Sequence, residues 1–218
     1  MISNNSYSII LAEKAKSYFE LLKFRLSFLV AFSCGFGYIL GANGVIDWVH
    51  FSLICFGGFL ISGASITINQ IIEKDLDLLM SRTMNRPIPT RRISVAEAAS
   101  FSFLIGSIGI LILALTTNML TVSLSVLSMI LYSFVYTPLK RVGPVAVFVG
   151  AIPGALPPLL GWTAATGIIS IEALIIFGIQ FIWQFPHFWA IAWVADEDYK
   201  KAGIKLLPSG GNLNPAFL

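Results

Sequence analysis

Residues 69 to 92 read NQIIEKDLDLLMSRTMNRPIPTRR, a stretch in which acids come first and arginines follow, within a chain only 11% charged. Asn69, Glu73 and Asp77 recur at every fourth residue, so on a helix they form one stripe drifting by about 40° per step. Asp75 falls on roughly the opposite face. Oxygen donors in such a stripe suit Mg²⁺, which takes a few carboxylates, keeps waters and bridges to the oxygens of a diphosphate. Arg82 and Arg86, also four apart, offer planar forks that match phosphate. The competing reading is a solvated loop whose arginines only set membrane topology. Topology needs no carboxylates, however, and acidic residues contribute little to orientation. Arg91 and Arg92 are expected only to fix topology.

Such side chains must be held by something, and the rest of the chain is apolar. The 218 residues are 56% hydrophobic, with a mean hydropathy of +0.83, more than a soluble domain needs to fill one core. A crossing helix takes about 20 apolar residues. Six stretches qualify, at approximately 25–43, 48–68, 96–116, 118–136, 144–164 and 172–194. The expected fold is therefore all-α, a polytopic transmembrane helical bundle forming a single domain over 1–218. Residues 1–23 carry too many charges for a cleavable signal peptide and read as an interfacial helix leading into the first span. The short TTN link predicts a tight hairpin between the third and fourth spans. Pro153, Gly154, Pro157 and Pro158 predict a kinked fifth span that approaches a neighbour closely. Cys34 and Cys55 lie in apolar runs and read as packing residues, and His50, at an outer helix end, as interfacial. All Lys and Arg residues fall on one side of the predicted spans. The positive-inside rule then places the N-terminus and the charged loops in the cytoplasm, and the net charge of +3 needs no nucleic acid as partner.

The pattern NxxxxxDxDxxMxRTxxRPIP, from Asn69 to Pro89, resembles the first aspartate-rich signature of the UbiA-type intramembrane prenyltransferases. Within that superfamily the heme-farnesylating branch is resembled by LLKFRLSFLV (21–30), YTPLKR (136–141), GAIPGALPPLLGW (150–162) and WQFPHFWAIAWVADEDYKKAGIKLLP (183–208). The resemblance implies a bundle around a central cavity, capped at one face by two polar loops. It also implies about nine spans, so a chain with six is expected to be truncated at its C-terminus. The implied reaction joins the farnesyl group of farnesyl diphosphate to a vinyl group of heme b, with water added, giving heme O and diphosphate. By the same resemblance Asn69, Glu73 and Asp77 hold Mg²⁺ and are catalytic together with Arg82 and Arg86. Glu73 stands where the family usually has Asp, and its carboxylate reaches one methylene further. The implied partners are the two substrates and the lipid bilayer, with association to a downstream heme A synthase or terminal oxidase assembly, and the implied location is the bacterial plasma membrane.

Breaking an allylic carbon–oxygen bond is mainly an electrostatic task, for which Lys140 and Arg141 are further cations and Asp75 lies nearby. Trp183, Phe185, Phe188, Trp189 and Trp193 either line a cavity and offer π faces to a cation or anchor the span in lipid. His187, an ionisable residue inside a span, either lines the substrate cavity, ligates heme iron or bonds a carbonyl freed by Pro186. In the tail, Asp196, Asp198, Tyr199 and Lys200 are candidates for a diphosphate cap. Lys201 and Lys205 face either heme propionates or anionic lipid headgroups. The rival readings are a related prenyltransferase acting on an aromatic quinone precursor, a transporter, and a heme-binding protein without catalysis.

Overall fold

The computed structural model describes residues 4–208; the ends of the expected N-terminal segment and tail, 1–3 and 209–218, lie outside the described residues. Helix α1 (Asn4–Leu22) leads into α2 (Phe24–Gly41), and α3 (Trp48–Ile72) continues through a single turn, α4 (Lys74–Asp77). After a loop come α5 (Val95–Thr116) and α6 (Met119–Ile130), which passes through a π-helical turn (Leu131–Tyr136) into α7 (Thr137–Leu139). Helices α8 (Val145–Thr166), α9 (Ile171–Val194) and α10 (Asp196–Lys201) follow. Among the described residues six segments are long and apolar enough to cross a membrane, within a few residues of the predicted spans. Their outward faces carry large apolar side chains such as Phe103, Leu115 and Ile182, a surface suited to lipid and not to water. The chain is an integral membrane protein.

Without a hydrophobic drive between helices in lipid, close backbone approach through small residues holds spans together. At the α2–α8 crossing a Cβ on Gly161 would lie 1.8 Å from the Cys34 carbonyl oxygen, and one on Gly37 1.9 Å from that of Pro158. The expected close approach of the fifth span is present, while α8 runs as one unbroken helix through Pro153, Pro157 and Pro158. Pro157 and Pro158 lack the N–H groups that would meet the Gly154 carbonyl three and four residues back. Gln184 of α9 supplies the missing donor, its Nε2 lying 3.1 Å from that oxygen.

At the end of the bundle away from the acid and base loop Asn118 caps α6 by accepting from Thr121 N–H and donates to the Thr163 carbonyl, which closes the α5–α6 hairpin against α8. His50 reaches inward, its Nδ1 3.2 Å from the Tyr38 hydroxyl. Cys34 is buried, Cys55 half-buried, and neither is bridged. At the opposite end α1 is fastened to the bundle. Lys14 pairs with Glu97, and Gln70 donates to the Leu21 carbonyl at 2.8 Å. Arg92 donates to Glu20, Ser17 and the Asn85 carbonyl. Arg92 therefore does more than set topology: it clamps α1 to the loop after α4.

Candidate functional site

The predicted stripe forms because helical hydrogen bonding runs across the α3–α4 junction. Glu73 N–H meets the Asn69 carbonyl at 2.9 Å and Asp77 N–H meets that of Glu73 at 2.8 Å. Asn69, Glu73 and Asp77 are all buried in protein yet line a cavity of about 550 Å³. The loop then folds back through successive turns, and Arg86 Nη1 reaches both carboxylate oxygens of Asp77, at 2.8 and 2.7 Å. From the other side of the cavity Lys140 Nζ bonds Glu73 at 2.8 Å and sits 4.8 Å from the Tyr136 ring centre. Asn69 donates through Nδ2 to Thr137 Oγ1 at 2.9 Å.

The electrostatics follow from burial and from an excess of cations. Lys23, Arg82, Arg86 and Lys140 face the same space as two carboxylates, Glu73 and Asp77. Burial pushes the Asp77 carboxyl above its ordinary value even though Arg86 opposes the shift. Burial, reinforced by Arg86 and Arg82, brings the Lys23 ammonium down to about 7. A site with this balance favours a multiply charged anion. Two carboxylates and an amide oxygen are hard donors of the kind Mg²⁺ takes alongside water and phosphate oxygens, so the residues fit that ion. Among the described residues no group of three or more His, Cys, Asp or Glu side chains stands together as a ready-made metal site.

Away from this polar end the cavity runs between α2, α3, α6, α8 and α9 along an apolar wall that includes Leu29, Ile61, Pro157, Leu160 and Trp183. His187 and Phe188 also line the cavity, and Tyr199 of α10, whose hydroxyl is pushed up by burial, lines it within the influence of Arg82, Glu73 and Arg86.

Other expected residues stand apart. Asp75 is exposed and pairs with its neighbour Lys74, because the opposite face of a one-turn helix points away from the stripe. Arg141 is exposed and takes no part in the cavity wall. Asp198 is committed elsewhere: its carboxylate accepts from Ser81 N–H and Oγ–H and from Arg82 N–H at 2.9–3.1 Å, contacts that hold it below the ordinary carboxylate value. Asp196 and Lys200 pair at 2.6 Å beside a smaller hollow of about 150 Å³ at the α9–α10 corner. Sequence reasoning missed Lys23, Tyr132, Tyr136 and Thr137. Lys23 read as a topology cation, and the other three sit on a span whose period gave no sign of a π turn.

The chain matches the UbiA prenyltransferase family over residues 30–211. It is 53% identical over 199 residues to a Cytophaga hutchinsonii protein named protoheme IX farnesyltransferase, covering 91% of this chain and 70% of that one. A Christiangramia forsetii protein of the same name is 49% identical, covering 88% of this chain, which spans 63% of that relative's length. A UbiA homologue from Archaeoglobus fulgidus, solved bound to DMAPP and Mg²⁺, superposes with a TM-score of 0.67 at 25% identity, over 87% of this chain and 67% of that one. In motif, in fold and over most of its length, the chain belongs to the UbiA prenyltransferase family.

Proposed function

We propose that the protein transfers the farnesyl group of farnesyl diphosphate to a vinyl group of heme b, with addition of water, giving heme O and diphosphate. One observation carries the diphosphate half of this reading: a single cavity joins a cation-rich end, with two buried carboxylates, to an apolar shaft. A prenyl diphosphate has the same division between charged head and hydrocarbon tail. The choice of acceptor rests on similarity to relatives named protoheme IX farnesyltransferase.

Asn69, Glu73 and Asp77 would hold Mg²⁺, which when bound supplies a Lewis-acid charge to the leaving group. As the allylic carbon–oxygen bond breaks, its electron pair passes to the diphosphate. Lys23, Arg82, Arg86 and Lys140 stabilise the charge that develops there. The vinyl group then forms the new carbon–carbon bond to the farnesyl carbon, and the resulting cation takes the oxygen of water, whose proton is released. Tyr132, Tyr136, Phe188 and Trp183 offer π faces to the cation and exclude stray water until the bond has formed. His187 contacts the acceptor from the shaft wall. Asp198 and Tyr199 close the cap over the diphosphate, and by the positive-inside rule this end faces the cytoplasm, in bacteria at the plasma membrane.

The test is direct. The chain, purified in detergent, is given farnesyl diphosphate, heme b and Mg²⁺, and heme O and diphosphate are quantified by chromatography. Product from the parent and a loss of about a hundredfold or more in Asp77→Asn, with helicity retained, is the expected result. Folded protein that leaves farnesyl diphosphate intact sinks the reading. Consumption with a quinone precursor in place of heme reassigns the acceptor.

A further inference from the structure

We propose that Thr137 is a positioning residue that fixes which end of the Asn69 amide faces the cavity, and that the π turn before it exists to place its hydroxyl there. This rests on the reading of Asn69 as a metal and diphosphate ligand.

Hydrogen-bond polarity decides which way the Asn69 amide lies. An asparagine amide has a donor end and an acceptor end of nearly the same shape, so a site that needs the oxygen must forbid the flip. Asn69 is buried on the cavity wall, and its Nδ2 donates to Thr137 Oγ1 at 2.9 Å. A hydroxyl carries one hydrogen, and that of Thr137 is already used: Oγ1 donates to the Tyr132 carbonyl at 2.9 Å. Towards Asn69 the hydroxyl can therefore only accept. The amide must present its NH₂ to Thr137 and its oxygen to the other side, where Glu73 and Asp77 stand on the same stripe. A flipped amide would set two oxygens against each other.

The backbone explains why Thr137 bonds five residues back. The π turn carries Thr137 N–H as well as its hydroxyl to the Tyr132 carbonyl. In plain α register that hydroxyl would bond the carbonyl four residues back, and the extra residue of the π turn changes the direction in which Thr137 projects. One turn earlier Ser133 Oγ donates to the Ser65 carbonyl at 3.4 Å. The pairs Ser65–Ser133 and Asn69–Thr137 have the same sequence separation of 68, so they form successive rungs between α3 and the fourth span.

The experiment measures Mn²⁺ binding to the full chain in detergent by electron paramagnetic resonance, with inorganic diphosphate present, for the parent and for Thr137→Val, Thr137→Ser, Asn69→Ala and Asn69→Asp. Thr137→Val, equal in shape but without a hydroxyl, is expected to weaken Mn²⁺ by about tenfold or more, as losses of supporting hydrogen bonds around metal ligands do. Thr137→Ser should restore it. In an Asn69→Asp background Thr137→Val should cause no loss of Mn²⁺ binding, because a carboxylate has no wrong end and meets the Thr137 oxygen with an oxygen in either orientation. The thermal midpoint without metal reports folding. If Asn69→Ala weakens Mn²⁺ while folded Thr137→Val does not, the proposal is overturned and the site stands. An equal loss from Thr137→Val in the Asn69→Asp background also overturns it. If Asn69→Ala binds Mn²⁺ as the parent does, Asn69 is no ligand and both readings fall.

Discussion

Lys23 sits between α1 and α2 at φ 44° and ψ 60°, a left-handed conformation that costs a residue with a Cβ about 1–2 kcal/mol. Gln70 and Ser27 hold it there by bonding the two preceding carbonyls, Leu21 and Leu22. Burial lowers its ammonium to about 7, Arg86, Arg82 and Lys140 push the same way, and Asp77 opposes them. A diphosphate arriving at this end should therefore take up a proton on Lys23. Its affinity is expected to fall by up to about tenfold per pH unit above about 7, and Lys23→Met should bind more weakly and lose that slope. Calorimetry with inorganic diphosphate at pH 6.5, 7.5 and 8.5 decides; a slope unchanged by Lys23→Met removes Lys23 from the site. The same depressed value has a sign for stability. The unfolded chain keeps this proton up to about 10.5, so between 7 and 10.5 it binds more protons than the folded chain, and stability rises with pH across that window. Asn69, Glu73 and Asp77 were legible as a stripe because helical hydrogen bonding continues from α3 into α4 and their spacing alone aligns them. Lys23 and Lys140 were not legible as partners of that stripe, since only tertiary folding brings helices so far apart in sequence around one cavity.

Hydropathy read the helices well, because every span must satisfy its backbone internally and be apolar outside. It could not read the joints. The π turn in the fourth span interrupts no apolar run, and nothing in the proline pattern of α8 announces the α9 side chain that bonds the carbonyl they leave free. This arrangement makes a specific prediction about Gln184, Pro158 and the Gly154 carbonyl. Gln184→Leu leaves that carbonyl unpaired and should lower stability by about 1 kcal/mol, in the range measured for hydrogen bonds between membrane helices. Pro158→Ala returns a backbone N–H to the same oxygen. Adding Gln184→Leu to Pro158→Ala should then cost almost nothing, and additivity of the two changes in denaturant unfolding would refute the account. The glycines give a companion test of packing. Gly161→Ala must drive a methyl against the Cys34 backbone and should cost about 3 kcal/mol or more, whereas Gly178→Ala, with no atom within 4 Å of the new Cβ, should be nearly silent in thermal unfolding.

One end of the cavity is lined by segments from three parts of the chain that share no local signal. The loop after α4 is tied to α10 through Asp198, and Lys205 N–H bonds the Lys140 carbonyl at 3.0 Å. Met80 packs into one cluster with Tyr136, Ile204 and Leu206. In the sequence Asp198 reads only as a candidate for a diphosphate cap, with no sign that its carboxylate bonds a backbone turn more than a hundred residues earlier in the chain. If it is a latch, its loss should loosen the loop before it affects chemistry. Asp198→Ala is expected to raise hydrogen exchange at the amides of Ser81 and Arg82, and to raise the KM for farnesyl diphosphate more than it lowers kcat. Asp198→Asn, which keeps an acceptor oxygen, should fall between it and the parent. Because the folded carboxyl lies below its ordinary value of 3.8, the latch contributes at neutral pH and weakens only as pH falls below that value. The contrary outcome is equally clear. If Asp198→Ala leaves exchange at Ser81 and Arg82 unchanged while abolishing turnover at saturating farnesyl diphosphate, Asp198 contacts the reacting groups and the hydrogen bonds to Ser81 and Arg82 are incidental.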